Sequence, residues 1–202
     1  MKIGCDKLHY ALLTTDTGTA LTYETPVPMP GVMTLTITAN TDSQTAFYDD
    51  GPGEVATALG EIEVSIEKNA LSADEKNVLL GHQLDTNGAV IYGAEDIPPF
   101  VALGFRNLRT DGTYRYVWLY KGKFQEPEDS STTKGDSIEF QNESITGSFV
   151  KVNKTFTVNE KTVTPWKSEV FEGPTTRNAC AKWFTKVYQP GDNVAAGLSA
   201  EK

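Results

Sequence analysis

The chain has 202 residues, a length that suits one domain and allows a sizeable buried core. Hydrophobic residues make up 39% of the chain, and no apolar run approaches the roughly 18 residues that a membrane-spanning helix needs, so we expect no membrane insertion. Two cysteines and two histidines are too few for a disulfide framework or a zinc cage. No apolar secretion signal follows the N-terminus, and we expect the protein to be made and kept in the cytosol.

The formal net charge of −9 is concentrated in one region. Residues 8–67 contain no Lys or Arg but hold nine of the 27 acids, so the other 18 acids balance the 18 basic residues. The nine acids are Asp16, Glu24, Asp42, Asp49, Asp50, Glu54, Glu61, Glu63 and Glu67. Such a region either keeps the protein soluble or directs an electrostatic field at a partner.

The first predicted elements are strands at 32–38 and 60–67 and a helix at 73–80. Ser72 is placed to cap the helix, Glu75 completes a capping box, and Gly81 can end it. The intervening segment 40–59 is rich in Gly, Asp, Thr and Ser and lacks strand alternation. This composition predicts that the segment is flexible in the isolated chain.

The second strand has a regular apolar and acidic alternation. A two-residue period separates three branched apolar residues from three glutamates, namely Ile62, Val64 and Ile66 from Glu61, Glu63 and Glu67. The apolar face belongs on a core. The acidic face is either an ordinary solvated surface or a surface that repels phosphate, because neighbouring carboxylates oppose folding and a sequence selected only for solubility would mix charge signs.

Further strands are predicted at 100–106, 113–124 and 144–152, with a weaker one at 154–158. A second helix is predicted at 176–188, where apolar residues recur at helical spacing before Pro190 and Gly191. We therefore predict a mainly β protein, with one flanking helix and a C-terminal helix. Residues 1–188 form its single domain, and 189–202 form a flexible C-terminal arm.

An aromatic row follows the strand at 113–124. Its members alternate along the strand: Tyr114, Tyr116, Trp118 and Tyr120. Such a row can stack bases or sugars, but stacking platforms for nucleic acid normally sit in basic grooves and this chain is acidic. We favour a role in packing, either in the core or at a subunit interface.

The sequence lacks the usual catalytic motifs. It contains no G-x-S-x-G elbow, P-loop, G-x-G-x-x-G or H-E-x-x-H. Asp49-Asp50 and the acidic segment 126–129 do not have the ligand spacing of a calcium loop. We expect no catalytic residues, no metal site and no cofactor, and therefore no enzyme.

Several short motifs follow one another in a specific order along nearly the whole chain. They are Tyr48-Asp49-Asp50-Gly51-Pro52, Gly60 with the acidic strand, Leu79-Leu80-Gly81, VALGF at 101–105, YVWLYKGKF at 116–124, Lys134-Gly135-Asp136 and Gly147-Ser148-Phe149. In this order and spacing the chain resembles the major tail tube proteins of long-tailed, non-contractile bacteriophages.

The resemblance implies a β-sandwich flanked by a helix, assembled as hexameric rings that stack into a hollow tube through which phage DNA leaves the capsid. Glu61, Glu63 and Glu67 would line the lumen. The resemblance makes 40–59 a long loop between strands, with Tyr48, Asp49, Asp50, Gly51 and Pro52 in it. This loop would contact the next ring and become ordered on stacking. The protein would be part of the virion, made in the cytoplasm of the host bacterium.

The partners implied by the resemblance are further copies of the chain, a tape-measure protein, tail assembly chaperones and a tail terminator. DNA would pass through without tight binding, since tight binding needs Lys and Arg to replace phosphate counterions. Two other classes stay open from the residues alone: a non-catalytic β-sandwich module that binds carbohydrate with its tyrosines and, far behind it, a glycosidase that uses acidic residues.

Overall fold

The structure is a computed structural model that describes residues 1–48, 51–129, 133 and 142–192. Within these residues, thirteen strands and two helices follow in chain order: β1 (Lys2–Asp16), β2 (Leu21–Tyr23), β3 (Val27–Pro28), β4 (Val32–Tyr48), β5 (Gly51–Lys68), α1 (Ala73–Leu80), β6 (Gln83–Leu84), β7 (Val90–Ile91), β8 (Val101–Arg109), β9 (Tyr114–Phe124), β10 (Glu143–Val150), β11 (Phe156–Val158), β12 (Lys161–Val163), β13 (Lys167–Phe171) and α2 (Arg177–Ala181).

One large antiparallel sheet dominates the fold. Its strands follow the order β2-β1-β8-β9-β10-β5-β4, with β3 paired to β1 and β13 paired to β9. Two small sheets, β6-β7 and β11-β12, complete the strands. The predicted mainly β fold with a flanking helix is confirmed. Neither described helix is long and apolar enough to cross a membrane.

The sheet buries apolar side chains on both of its faces. On β9, Val117 and Leu119 join the cluster that contains the apolar face of β5 and the end of α1. The alternate residues Trp118 and Tyr120 join a second cluster with Trp183 from the C-terminal segment. Strand β9 is therefore the wall shared by two cores, which explains why neither face of this strand is polar in sequence.

The first helix begins and ends as predicted. The Ser72 hydroxyl accepts the Glu75 amide at 3.2 Å, and the Glu75 carboxylate accepts the Ser72 amide at 2.8 Å. Gly81 ends the helix with a φ of 79°, a left-handed conformation that glycine adopts without strain. The prediction of this helix is confirmed because all of its start and stop signals are local.

The predicted helix at 176–188 is wrong in length, because α2 ends at Ala181. Thr176 donates its hydroxyl to the Phe171 carbonyl at 2.6 Å, so it does not cap the helix. Beyond Ala181 the chain continues in turns with i to i−3 hydrogen bonds, such as Thr185 to Lys182 at 3.1 Å. Trp183 and Val187 nevertheless pack on the sheet, as the apolar spacing indicated.

The prediction of a loop at 40–59 is also wrong. Its described residues are the outer half of a β-hairpin, with Asp42 opposite Ala58 and Thr45 opposite Val55 in the register of β4 and β5. It lacks the apolar alternation of a half-buried strand because it covers no core, while its backbone groups still pair across the hairpin. Strand β1 was missed at the sequence level. A positive φ of 50° at Lys7 and a register shift between Asp6 and His9 interrupt its pattern.

Gly104 on β8 faces Trp118 on β9, and a methyl group at this glycine would lie 2.6 Å from the indole ring. We expect Gly104→Ala to lower the free energy of unfolding by about 1–3 kcal/mol, because the indole is fully buried and cannot move away without disturbing the second core. Gly4→Ala on β1 is the matched control, since nothing lies within 4 Å of its added methyl. Equal denaturant midpoints for the two variants would contradict this packing argument.

Candidate functional site: the acidic face of β5 and the β4–β5 arm

Strand β5 presents its glutamates on the face opposite the core. Ile62, Val64 and Ile66 have no exposed surface, whereas Glu61 and Glu63 are exposed and Glu67 is half-buried. The side-chain alternation expected from the sequence therefore exists in the fold. We call Glu61, Glu63 and Glu67 together the acidic face.

Hydroxyl groups border the acidic face on both sides. In the strand register, Thr38 on β4 and Ser148 on β10 flank Glu63, and Thr34 and Ser144 flank Glu67. The Asn142 amide also donates to Glu67 at 3.0 Å. Neutral neighbours of this kind leave the negative charges of the glutamates uncompensated, so the surface repels other anions at short range.

In the row that crosses the sheet from Glu63 through Ser148, the next residue is Lys123 on β9. Its ammonium group lies 4.5 Å from the centre of the Phe100 ring. Among the ion pairs formed by the described residues, none includes a carboxylate of the acidic face. The acidic face therefore keeps its charge.

Residues 41–48 and 51–59 of the hairpin form a projection that we call the arm. Every residue at 41–46 and at 54–60 is exposed. Val55 and Leu59 lie opposite Thr45 and Thr41 and so share one face of the arm, with 62% and 46% of their surface exposed. A two-stranded ribbon without a third strand or a covering layer is marginally stable in water.

The tip of the arm includes residues for which the family resemblance implies a contact between rings. Tyr48 pairs with Gly51, and Phe47 pairs with Pro52, so the hairpin register continues to the tip. Asp49 and Asp50 lie outside the described residues. The outer edge of β4 faces away from β5, and β4 is the terminal strand of the main sheet as described.

The aromatic row lies inside the protein. Tyr116, Trp118 and Tyr120 are buried, and the Trp118 indole donates to the Trp183 carbonyl at 3.0 Å. Tyr114 is half-buried beneath the Arg106 guanidinium, whose central carbon lies 3.9 Å from the ring centre. The four side chains therefore cannot form an exposed stacking platform for sugars or bases in this conformation.

Two clusters of charged residues that include buried side chains were not predicted from the sequence. Lys68 and Glu75 form an ion pair beneath α1 with 3% and 6% of their surface exposed. His82 lies between Asp96 and Glu126, which are 14 and 44 positions away in the chain. No local pattern connects such residues. The structure also has no group of three or more His, Cys, Asp or Glu side chains suited to a metal ion among its described residues.

Searches against protein-family models and against curated proteins found no match to this chain.

Proposed function

We propose that this chain is a structural protein, the repeating subunit of a bacteriophage tail tube in which rings of subunits stack around a channel for DNA. The observation that carries the proposal is the arm, a strand pair exposed on both faces that extends beyond the core of its own chain. Such a ribbon is marginally stable on its own, whereas a stacked subunit can bury it against the next ring.

The acidic face supports the same function. Duplex DNA carries one negative charge per roughly 1.7 Å of its axis. A wall of carboxylates and hydroxyls would offer DNA little counterion replacement and hence no tight binding. Glu61, Glu63 and Glu67 would thus line the lumen and let DNA slide during ejection.

Ring formation requires contacts between neighbouring subunits. The outer edge of β4 offers a row of backbone donors and acceptors along a 17-residue strand, and edges of this kind pair readily with another strand. We infer that subunits join side by side at this edge into hexameric rings. The other partners would be a tape-measure protein, tail assembly chaperones and a tail terminator.

A carbohydrate-binding module is less well supported than a tube subunit. It would need exposed aromatic rings, but Tyr116, Trp118 and Tyr120 are buried in the second core. Nothing in the geometry of the described residues favours a glycosidase over an ordinary acidic surface.

Concentration-dependent assembly tests the proposed function. We expect the purified protein to form rings and then tubes as its concentration rises, visible by negative-stain electron microscopy and as fast-sedimenting species in analytical ultracentrifugation. A protein that stays monomeric at millimolar concentration and is stabilised thermally by a sugar would refute the tube and favour the binding module.

The arm can be tested separately from the fold. We expect Val55→Ser with Leu59→Ser to leave the free energy of unfolding within about 0.5 kcal/mol of the wild type, because both side chains are already exposed. Tube growth should nevertheless be lost, since the double variant removes the apolar surface that would contact the neighbouring ring.

The control places the same two changes on the other face of the arm, as Ala56→Ser with Ala58→Ser. These residues lie opposite Gln44 and Asp42, and their substitution should leave tubes largely intact. Normal tubes from the Val55 and Leu59 variant would show that this face of the arm is not buried on stacking.

A further inference from the structure

His82 is a buried charged residue that the proposed function does not use. It follows the end of α1, and 6% of its side chain is exposed. Its Nδ1 atom lies 2.8 Å from a carboxylate oxygen of Asp96, and its Nε2 atom lies 2.9 Å from one of Glu126. The imidazole thus joins three separate parts of the chain: the end of α1, the 93–96 turn and the segment that leaves β9.

Both contacts require the imidazole to donate. An ionised carboxylate only accepts hydrogen bonds, and only the imidazolium form carries an N–H on both ring nitrogens. Burial by itself lowers the pKa of His82, but the hydrogen bonds and negative charges of Asp96 and Glu126 outweigh it and raise this pKa above the ordinary value of 6.5. The geometry and the electrostatics therefore agree on a cation.

The two carboxylates are held unequally. Asp96 also accepts the Gly93 amide at 2.8 Å, and 18% of its side chain is exposed. The side chain of Glu126 is 54% exposed, and among the described residues its hydrogen bond to His82 is the only one that the structure shows for it. When the ring loses a proton, one N–H remains. The remaining N–H stays on Nδ1, because Asp96 is the better-anchored acceptor. The Nε2 atom then turns a lone pair toward Glu126.

We propose that His82 is a pH-sensitive clip that holds the segment after β9 against the end of α1 while protonated and releases Glu126 on deprotonation. Release follows because a lone pair and a carboxylate oxygen at this distance repel each other, and because the exposed Glu126 can turn into water. The Asp96 side of the cluster stays closed in both states.

The surroundings of the clip carry further charges. The Tyr92 ring packs on the imidazole with its centre 4.2 Å away. Tyr92 and Glu126 line a polar groove whose other charged residues are Lys76, Glu128, Asp129 and Glu143. With Glu126 included, four carboxylates line this groove against one ammonium group, and their negative charge favours the protonated ring. Once His82 has lost its proton, the other three carboxylates repel Glu126 and favour its movement into water.

The sign of the pH dependence follows from the raised pKa. The folded state holds the His82 proton more tightly than the unfolded state does, so the stabilising contribution is complete below pH 6.5. This contribution to the free energy of unfolding is lost as the pH rises through the folded-state pKa. His9, the other histidine, behaves oppositely, because burial lowers its pKa.

Nuclear magnetic resonance of the two imidazoles, on samples dilute enough to remain monomeric, tests the charge state. His9→Gln assigns the signals. We expect His82 to titrate above pH 6.5 and its midpoint to fall in Glu126→Gln. Glu128→Gln, which removes a neighbouring carboxylate that has no hydrogen bond to the ring in the structure, should change the midpoint much less. A midpoint at or below 6.5 in the wild type, or equal effects of the two variants, would overturn the proposal.

Hydrogen exchange at two amides tests the release. The Gln125 amide donates to the Thr146 carbonyl at 2.8 Å beside the clip, and the Gly93 amide reports on the Asp96 side. After correction for intrinsic rates, protection at Gln125 should fall several-fold from pH 6 to pH 9 while protection at Gly93 changes little.

Glu126→Gln should abolish this fall, because a glutamine amide can donate to the Nε2 lone pair of the neutral ring. Glu126 is half exposed, so this variant is expected to fold. Unchanged Gln125 protection across the pH range in the wild type, or an equal fall in Glu126→Gln, would show that His82 is only a structural cation.

Discussion

Tubes assembled from a chain with Glu61, Glu63 and Glu67 all replaced by lysine should retain duplex DNA, whereas wild-type tubes should release it. Lysine would turn a wall that repels phosphate into one that binds it by counterion release. Retention should therefore weaken steeply between about 50 and 200 mM salt. The fold should survive, because Ile62, Val64 and Ile66 still bury the other face of β5. In phage particles that carry this variant, genome ejection should slow or stall.

Two further variants separate position from net charge. The first is a triple variant in which glutamine replaces Glu61, Glu63 and Glu67. It should assemble and release DNA, since glutamine removes repulsion without adding cations. Glu24, Glu95 and Glu128 are exposed glutamates elsewhere on the surface, and their replacement by lysine gives the same net charge, since each change adds two units to −9 and three changes give −3. If both lysine variants retain DNA equally, or if neither does, the acidic face does not line the lumen.

Replacing Lys68 with methionine is expected to lower the free energy of unfolding by about 3–5 kcal/mol. Lys68 and Glu75 form an ion pair that is almost fully buried. The substitution leaves the Glu75 carboxylate in the interior without its cation, and such a group costs more than the pair itself contributes. Chemical denaturation followed by circular dichroism measures the change.

Lys76→Met is the matched control one turn into α1. Its partner Glu143 is 3.6 Å away, and both side chains are partly exposed, so the expected loss is about 0–1 kcal/mol. Adding Glu75→Gln to Lys68→Met should recover much of the stability, because glutamine keeps the capping box but carries no charge. A double variant less stable than Lys68→Met alone would show that the charge of Glu75 matters for another reason.

Helix α1 could be predicted to the residue from the sequence because every signal that defines it is local. Ser72, Glu75 and Gly81 lie within ten consecutive residues, and their hydrogen bonds join neighbours in the chain. The two faces of β5 could also be predicted from the sequence, since an alternation with a period of two requires only that one face be buried.

The second helix and the arm show where prediction from the sequence was wrong. The apolar spacing at 176–188 indicated a helix, but it recorded only which side chains are buried, and the backbone there buries them in turns. The segment 40–59 carries no burial pattern because it covers no core, so no alternation in its sequence revealed the strands that pair there, from Tyr48 opposite Gly51 to Thr41 opposite Leu59.

The sequence by itself determined the mainly β class, the first helix, the sidedness of the acidic strand and the confinement of negative charge to residues 8–67. Only the tertiary structure decided that the aromatic row of β9 packs against the C-terminal segment, that Lys68 pairs with Glu75, and that His82 meets Asp96 and Glu126. The physical reason is the separation along the chain between the residues that interact. Hydrogen bonds and periodicities within a few residues are encoded locally, whereas buried charges need partners that only the folded sheet brings together.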